Sequence, residues 1–305
     1  MTEHLELTDK LNRTSVTKHF DAYEDVDWDA PENAIDAADP RWELGVDDPV
    51  GGSDWYRALP QPTRARFGLH RAAAAMKVGW QFESVLKRGL LEHAQSLPDG
   101  SPEVRYLYHE VIEEAQHSLM FMEFVRRARA AAPMRLPGLP RRLGLFPVGA
   151  MPQHVVRLAR RFPELFFIFV LGGEDPIDFV QRQVLGSGKD THPLIRRIMQ
   201  IHVTEEARHI GFARSYLRDR VPALPPARRL ALAVAAPVIL GLMAKVMLRP
   251  SPLLVREYQI PESVIRDPAQ AARVRASLAK VRELCVELGL LGAAPRLLWN
   301  RMGIA

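Results

Sequence analysis

The tightest constraint on this chain is a spacing that occurs twice. Glu114-Ala-Gln-His117 and Glu206-Ala-Arg-His209 each place a carboxylate three residues before an imidazole, and on a helix positions i and i+3 share one face. Each motif sits in a long stretch of alanine, leucine and long polar side chains with no internal proline. A lone glutamate precedes each on a further helical stretch, Glu83 by 31 residues and Glu174 by 32. Four helical stretches thus carry these residues, two with one carboxylate each and two with a carboxylate and an imidazole.

The helical reading extends over most of the chain. Helices are expected over 63–97, 102–131, 155–185, 192–220, 227–247 and 268–288. Ser101-Pro102-Glu103 reads as a cap followed by a first-turn proline. Gly172-Gly173 and Pro176 are expected to bend or break the third helix. Pro133, Pro137, Pro140, Pro147 and Pro152 make the preceding connector irregular. No run alternates with period two, so the fold class is all-α. Residues 61–305 form one helical domain, and 1–60 form an acidic, turn-rich segment covering it. That segment carries fifteen Asp and Glu against five Lys and Arg, a balance of −10, whereas the whole chain stands at +5. The basic excess after residue 60 is scattered and accompanies no nucleic-acid motif, so it suits the acidic cover better than DNA or RNA.

Cys285 is the only cysteine, which excludes an intrachain disulfide and a cysteine-ligated cluster. The start MTEHLELTDK has acids where a secretory leader has bases, so the expected compartment is the cytoplasm. The run 230–248 approaches the length and apolarity of a membrane span, but Pro237 and Lys245 interrupt it. It is read as a helix buried in the bundle or in a homodimer interface, with membrane contact as the minor alternative.

Helix-Glu followed by helix-Glu-x-x-His, repeated, is the ligand set of ferritin-like dinuclear carboxylate bundles. The expected architecture is a ferritin-like four-helix bundle core with additional helices. Four buried carboxylates would carry four negative charges, which two divalent cations cancel. Oxygen-rich ligands with imidazoles suit iron or manganese, and a ferrous pair can reduce O2. His202 lies four residues before Glu206 and seven before His209, within about 60° of both around the helix.

The resulting pattern, His202-x-x-x-Glu206-x-x-His209, resembles the p-aminobenzoate N-oxygenase family, the AurF-type diiron oxygenases, over about residues 60–290. The resemblance implies a metal site of Glu83, Glu114, His117, Glu174, His202, Glu206 and His209 holding two iron ions. It also implies O2 as oxidant, an external electron donor or reductase, and a small organic substrate. In this family that substrate is an arylamine oxidised through hydroxylamine towards nitro. Two other readings stand beside it: a diiron C–H hydroxylase of an apolar or carrier-bound metabolite, and a ferritin-like iron-binding or ferroxidase protein.

Other residues carry lesser expectations. Glu110 occupies on its helix the place that His202 occupies on the other, and is expected near the metals or the pocket. Glu113 and Glu205 point about 100° away from the ligand glutamates that follow them and are expected at the surface. Asp178, one turn after Glu174, is a candidate to orient a ligand histidine. His70, His93, His109, His154 and His192 are read as structural. Family members that take aminobenzoates carry tyrosine and arginine shortly before the first ligand glutamate; here residues 72–78 read AAAAMKV. Residues 72–75 are therefore expected to line a pocket for a larger, greasier substrate, with Arg182, Arg275 or Arg282 as candidates to grip a carboxylate.

Overall fold

The five longest helices among the described residues all open on a turn that contains proline. The computed structural model describes residues 3–134, 151–188 and 190–305, and among these the regular structure is helical. In chain order come α1 (Glu3–Thr17), a short α2 (Asp54–Arg57), α3 (Gln61–Ala94), α4 (Pro102–Ala131), α5 (Met151–Arg161), α6 (Pro163–Gly186) and α7 (Pro193–Arg220). Then follow α8 (Pro226–Leu248), α9 (Pro252–Tyr258), α10 (Glu262–Ile265), α11 (Pro268–Ser277), α12 (Ala279–Glu287) and α13 (Ala293–Met302). Proline stands in the first turn of α3, α4, α6, α7 and α8, where its missing N–H is no loss and its fixed φ suits the helix. Ser101 caps α4 by accepting from the backbone N–H of Val104.

α3 packs along α4 and α6 along α7, and contacts between α4 and α7 and between α3 and α6 close a four-helix bundle. α5 lies on α3 and α6, α8 on α6, and α13 on α8. One apolar cluster, with Leu86, Tyr106, Phe167 and Ile210, fills one length of the bundle; another, with Met76, Phe121, Ile198 and Ile201, fills the other. Along α4 and α7 the residues between these clusters include the Glu and His positions singled out above, so a polar layer lies between two greasy ones; on α3, Glu83 is flanked by Phe82 and Val85 of the first cluster.

Several elements differ from expectation. α6 runs unbroken through Gly172, Gly173 and Pro176, and the break falls instead at Phe162, between α5 and α6. A proline ring crowds the carbonyl four residues back. Here that residue is Gly172, and packing against Met243 and Phe82 holds both glycines in the core. The acidic lead contains α1, whose buried face is His4, Thr8, Leu11, Asn12 and Ser15. A face with so little hydrocarbon leaves no hydrophobic period to detect. The expected helix 268–288 is two helices hinged at Leu278, and α13 follows where none was expected. Most of the proline-rich connector, including Pro137, Pro140 and Pro147, lies outside the described residues.

The acidic lead meets basic residues of the bundle: Asp25 with Arg197, Asp29 with Arg127, Glu43 with Arg64, and Asp48 with Arg71 and Arg273. At its start, His4 on α1 bridges Glu103 of α4 at 3.1 Å and Ser215 of α7 at 2.9 Å. The apolar run Pro226–Tyr258 is long enough to cross a membrane, yet half of its most apolar window is buried in the fold. The other side of α8 exposes Leu230, Val234, Val238 and Leu242.

Candidate metal centre

The seven singled-out residues converge in two adjoining buried groups. Glu83 of α3, His117 of α4 and His202 of α7 form one; Glu114 of α4, Glu174 of α6 and Glu206 and His209 of α7 form the other. Within each group the potential ligand atoms lie within 4.8 Å of one another. Glu114 spans the two, with Oε2 3.5 Å from His117 Nδ1 and Oε1 3.0 Å from His209 Nδ1. Glu206 Oε1 likewise reaches His117, His202 and His209 at 3.5, 3.4 and 3.6 Å. Two carboxylates thus sit between the groups, while Glu83 and Glu174 stand at opposite ends.

These atoms face one another without bonding. Both oxygens of Glu114 and of Glu174, one each of Glu83 and Glu206, and Nδ1 of His117 and His209 are buried with no hydrogen-bond partner. Such orphans are costly in a protein interior, and they converge in two groups, each of which could hold a metal ion. Carboxylate oxygen with imidazole nitrogen suits iron or manganese. The residues present therefore fit a dinuclear metal site.

The residues behind the centre depart from the sequence expectation. Glu113 and Glu205, expected at the surface, are buried. Glu113 accepts from His209 Nε2 at 2.8 Å, and Glu205 accepts from His117 Nε2 at 2.8 Å. Each carboxylate thus holds the histidine of the opposite motif, fixing its tautomer so that Nδ1 faces the centre. Arg208, also buried, sits between them at 2.9 Å from Glu113 and 3.4 Å from Glu205. Burial acts to raise the Glu113 carboxyl, but the His209 hydrogen bond and the Arg208 charge outweigh it and bring it down to about 2. The repeated doublet Glu113-Glu114 and Glu205-Glu206 was the available signal; the helical wheel shows the angle, but not that the partner helix fills it.

Other supports come from α3 and α4. Lys87 Nζ donates to the Glu114 carbonyl at 2.9 Å and to Ser118 Oγ at 2.5 Å, and Ser118 donates to Glu83 Oε2 at 2.8 Å. Glu110 is buried beside His209, Glu114 and Glu206, as its position suggested, and burial pushes its carboxyl up to about 8. Asp178 does not reach a histidine. It pairs through both oxygens with Arg182 one turn on, at 2.8 Å each. His70 bonds the Ala132 carbonyl and Tyr258, and His192 bonds the Ala34 carbonyl and stacks on Trp42.

A cavity of about 90 Å³ opens onto Glu83, Glu114, Glu174, His202 and Glu206, with walls that include Ala75, Met76, Phe82 and Phe121. A larger one of about 460 Å³ lies further out. Ala72 and Ala75 line both, whereas Ala73 and Ala74 pack into apolar clusters. Of the arginines proposed as a carboxylate grip, Arg182 lines the outer cavity but is held by Asp178. Arg275 is exposed and Arg282 bonds the Ile304 carbonyl.

Residues 2–289 match the family described as p-aminobenzoate N-oxygenase AurF. The chain belongs to the AurF family. Uncharacterised proteins of two Mycobacterium tuberculosis strains and of Mycobacterium bovis are each 39% identical to it over 307 residues, covering 98% of this chain and 86% of theirs. AurF-family proteins are diiron oxygenases acting with O2 on an organic substrate, and the buried carboxylate and histidine groups of this chain are of the kind that hold such metals.

Proposed function

We propose that this chain is an O2-dependent arylamine N-oxygenase whose two irons are held by Glu83, Glu114, His117, Glu174, His202, Glu206 and His209. The observation that carries the reading is the convergence of orphaned carboxylate and imidazole atoms at the closed end of an apolar cavity. The net reaction is R–NH2 + O2 + 2 e⁻ + 2 H⁺ → R–NHOH + H2O, with the electrons drawn from an external reductase. When bound, the two irons supply the reduction of O2. Met76, Phe82, Phe121 and Met199 exclude bulk water and pack against an aryl ring. His202 adds a neutral donor on the Glu83 side, and Glu113, Glu205 and Arg208 keep His117 and His209 in register.

The volume of the outer cavity favours an oxygenase over a ferroxidase, which needs no room for an organic molecule. The apolar inner walls also suit C–H hydroxylation of an apolar metabolite, the second reading. In this proposal residues 1–60 act as the cover of the helical domain, the protein works in the reducing cytoplasm, and a second copy covers the exposed side of α8.

The test is anaerobic reconstitution with ferrous iron followed by O2, a chemical reductant and a panel of arylamines read by mass spectrometry. About two irons per chain and hydroxylamine or nitro products are expected. A constant single zinc would sink the diiron assignment. Hydroxylation on carbon alone would favour the second reading, and O2 uptake independent of any organic substrate would favour the ferroxidase.

A further inference from the structure

The outer cavity has one wall that the oxygen chemistry does not use. It shares Ala72, Ala75, Ile177, Val180, Met199 and Met247 with the inner cavity, so the two meet through an apolar throat. Beyond the throat, Arg71 of α3 and Arg273 of α11 line the wall with Asp48, and their side chains are only 16%, 9% and 11% exposed.

Asp48 is fully subscribed. Its Oδ1 accepts from Arg71 Nη1 at 3.1 Å and from the backbone N–H groups of Val50 at 2.9 Å and Gly51 at 3.3 Å. Its Oδ2 pairs with Arg71 Nη2 at 3.1 Å and with Arg273 Nη1. The Leu248 carbonyl takes one further N–H of Arg71, at 3.3 Å. Two guanidinium groups present about ten N–H donors between them, so several have no acceptor in these bonds; Arg273 Nε is buried with no hydrogen-bond partner. Two positive charges also share one negative charge. The neighbouring charges Arg41, Arg182 and Glu43 are paired with Asp39, Asp178 and Arg64, and Asp47 is exposed, where solvent and salt screen it.

We propose that Arg71 and Arg273 form a binding subsite for a carboxylate at the far end of an elongated substrate whose apolar body fills the throat and whose other end reaches the metal centre. A monoanion matches the single unbalanced charge, and the planar guanidinium fork suits the two oxygens of a carboxylate. Arg71 precedes Glu83 by twelve residues on one continuous helix, which separates them by about 18 Å along the axis at 1.5 Å per residue. An aminobenzoate, with one ring between nitrogen and carboxylate, cannot span that distance. This subsite rests on the N-oxygenase reading for which end reacts, but not for the anion.

Iron-reconstituted protein under anaerobic conditions is titrated calorimetrically with a para-alkylaniline ending in a carboxylate on a long polymethylene chain, and with its methyl ester. The acid is expected to bind about tenfold or more tightly than the ester, the gain of a charge-assisted hydrogen bond. Arg273→Met, which leaves Asp48 and Arg71 as a neutral pair, should reduce the ratio to near one without lowering the melting temperature much. Arg273→Lys should restore part of it. 4-Aminobenzoate and its ester should show no such dependence on Arg273. Equal binding of long acid and ester by wild type, or a preference that survives Arg273→Met in a protein that melts normally, overturns the subsite; tighter binding of a phosphate monoester of the same length overturns the carboxylate assignment. Product analysis in air keeps the two readings apart: acid preference without N-oxygenated product sinks the oxygenase function alone, and product without acid preference sinks the subsite alone.

Discussion

α4 and α7 contribute to the centre as near copies, and the difference four residues before the second glutamate is the most informative. Each brings a Glu-Glu-x-x-His segment, and each histidine is held from behind by the first glutamate of the other segment. Four residues before the second glutamate, α7 has His202, whose Nε2 lies 3.8 Å from Glu83. α4 has Glu110 there, buried with Oε2 unpartnered. The same backbone position thus adds a donor to one end of the centre and an uncompensated carboxyl to the flank of the other. His202 also differs from its two fellow histidines: Nδ1, its far nitrogen, has no carboxylate behind it. Its ring is held by ring contacts, tilted against His117 at 4.6 Å and stacked on Phe121 at 5.3 Å, so the copied pair is anchored by charge and the extra histidine by packing.

The strongest way to break the symmetry is to remove a shared carboxylate. Glu114→Ala and Glu206→Ala are each expected to abolish binding of both irons, because each residue faces both groups; metal analysis after anaerobic reconstitution checks this, and retention of one full iron would show that the carboxylate serves one end only. Next is Arg208→Met, which leaves Glu113 and Glu205 buried without their shared cation. A destabilisation of about 3–5 kcal/mol is expected, with metal affinity falling about 10–100-fold as the histidines lose their alignment. Thermal melting and competition with a chelator measure the two effects.

The third comparison sets His202→Ala against Glu110→Gln. The first should keep most of the iron yet change the rate of O2 consumption in single-turnover measurements. The second should leave both close to wild type. Equal effects would mean that the α7 position is no more specialised than its counterpart on α4.

The mildest effect on the centre is expected from Ala75→Phe, which fills the throat from a residue lining both cavities. It should spare iron loading and slow turnover of bulky arylamines more than that of aniline. A loss of about 1–3 kcal/mol with iron loss would instead mark Ala75 as a packing position.

Much of the centre was legible because helical geometry is local. A spacing of three or four residues puts side chains on one face whatever the helix packs against, so the motifs, His202 and the four ligand-bearing helices could be read directly. Charge arithmetic added two cations, since four carboxylates on inward faces need them. The same locality explains the misreadings. Glu113 and Glu205 point away from the neighbouring ligand positions of their own helices, and only the packing of α4 on α7 turns that direction into a hydrogen bond with the opposite histidine. α1 buries mostly polar residues, with His4 meeting Glu103 and Ser215 and Leu11 alone among its apolar side chains buried in the core, so no hydrophobic stripe marks it. Pro176 stays helical within a core in which Gly172 and Gly173 let Met243 and Phe82 approach α6 closely.

The sequence by itself determined the all-α class, the bundle and the seven residues that converge at its centre, since each follows from period and charge along single helices. The tertiary structure alone decided which carboxylate holds which histidine, where the throat runs, and that Asp48 of the acidic lead meets Arg71 and Arg273. Those contacts join residues about 20 to 225 positions apart, and no regular spacing encodes them.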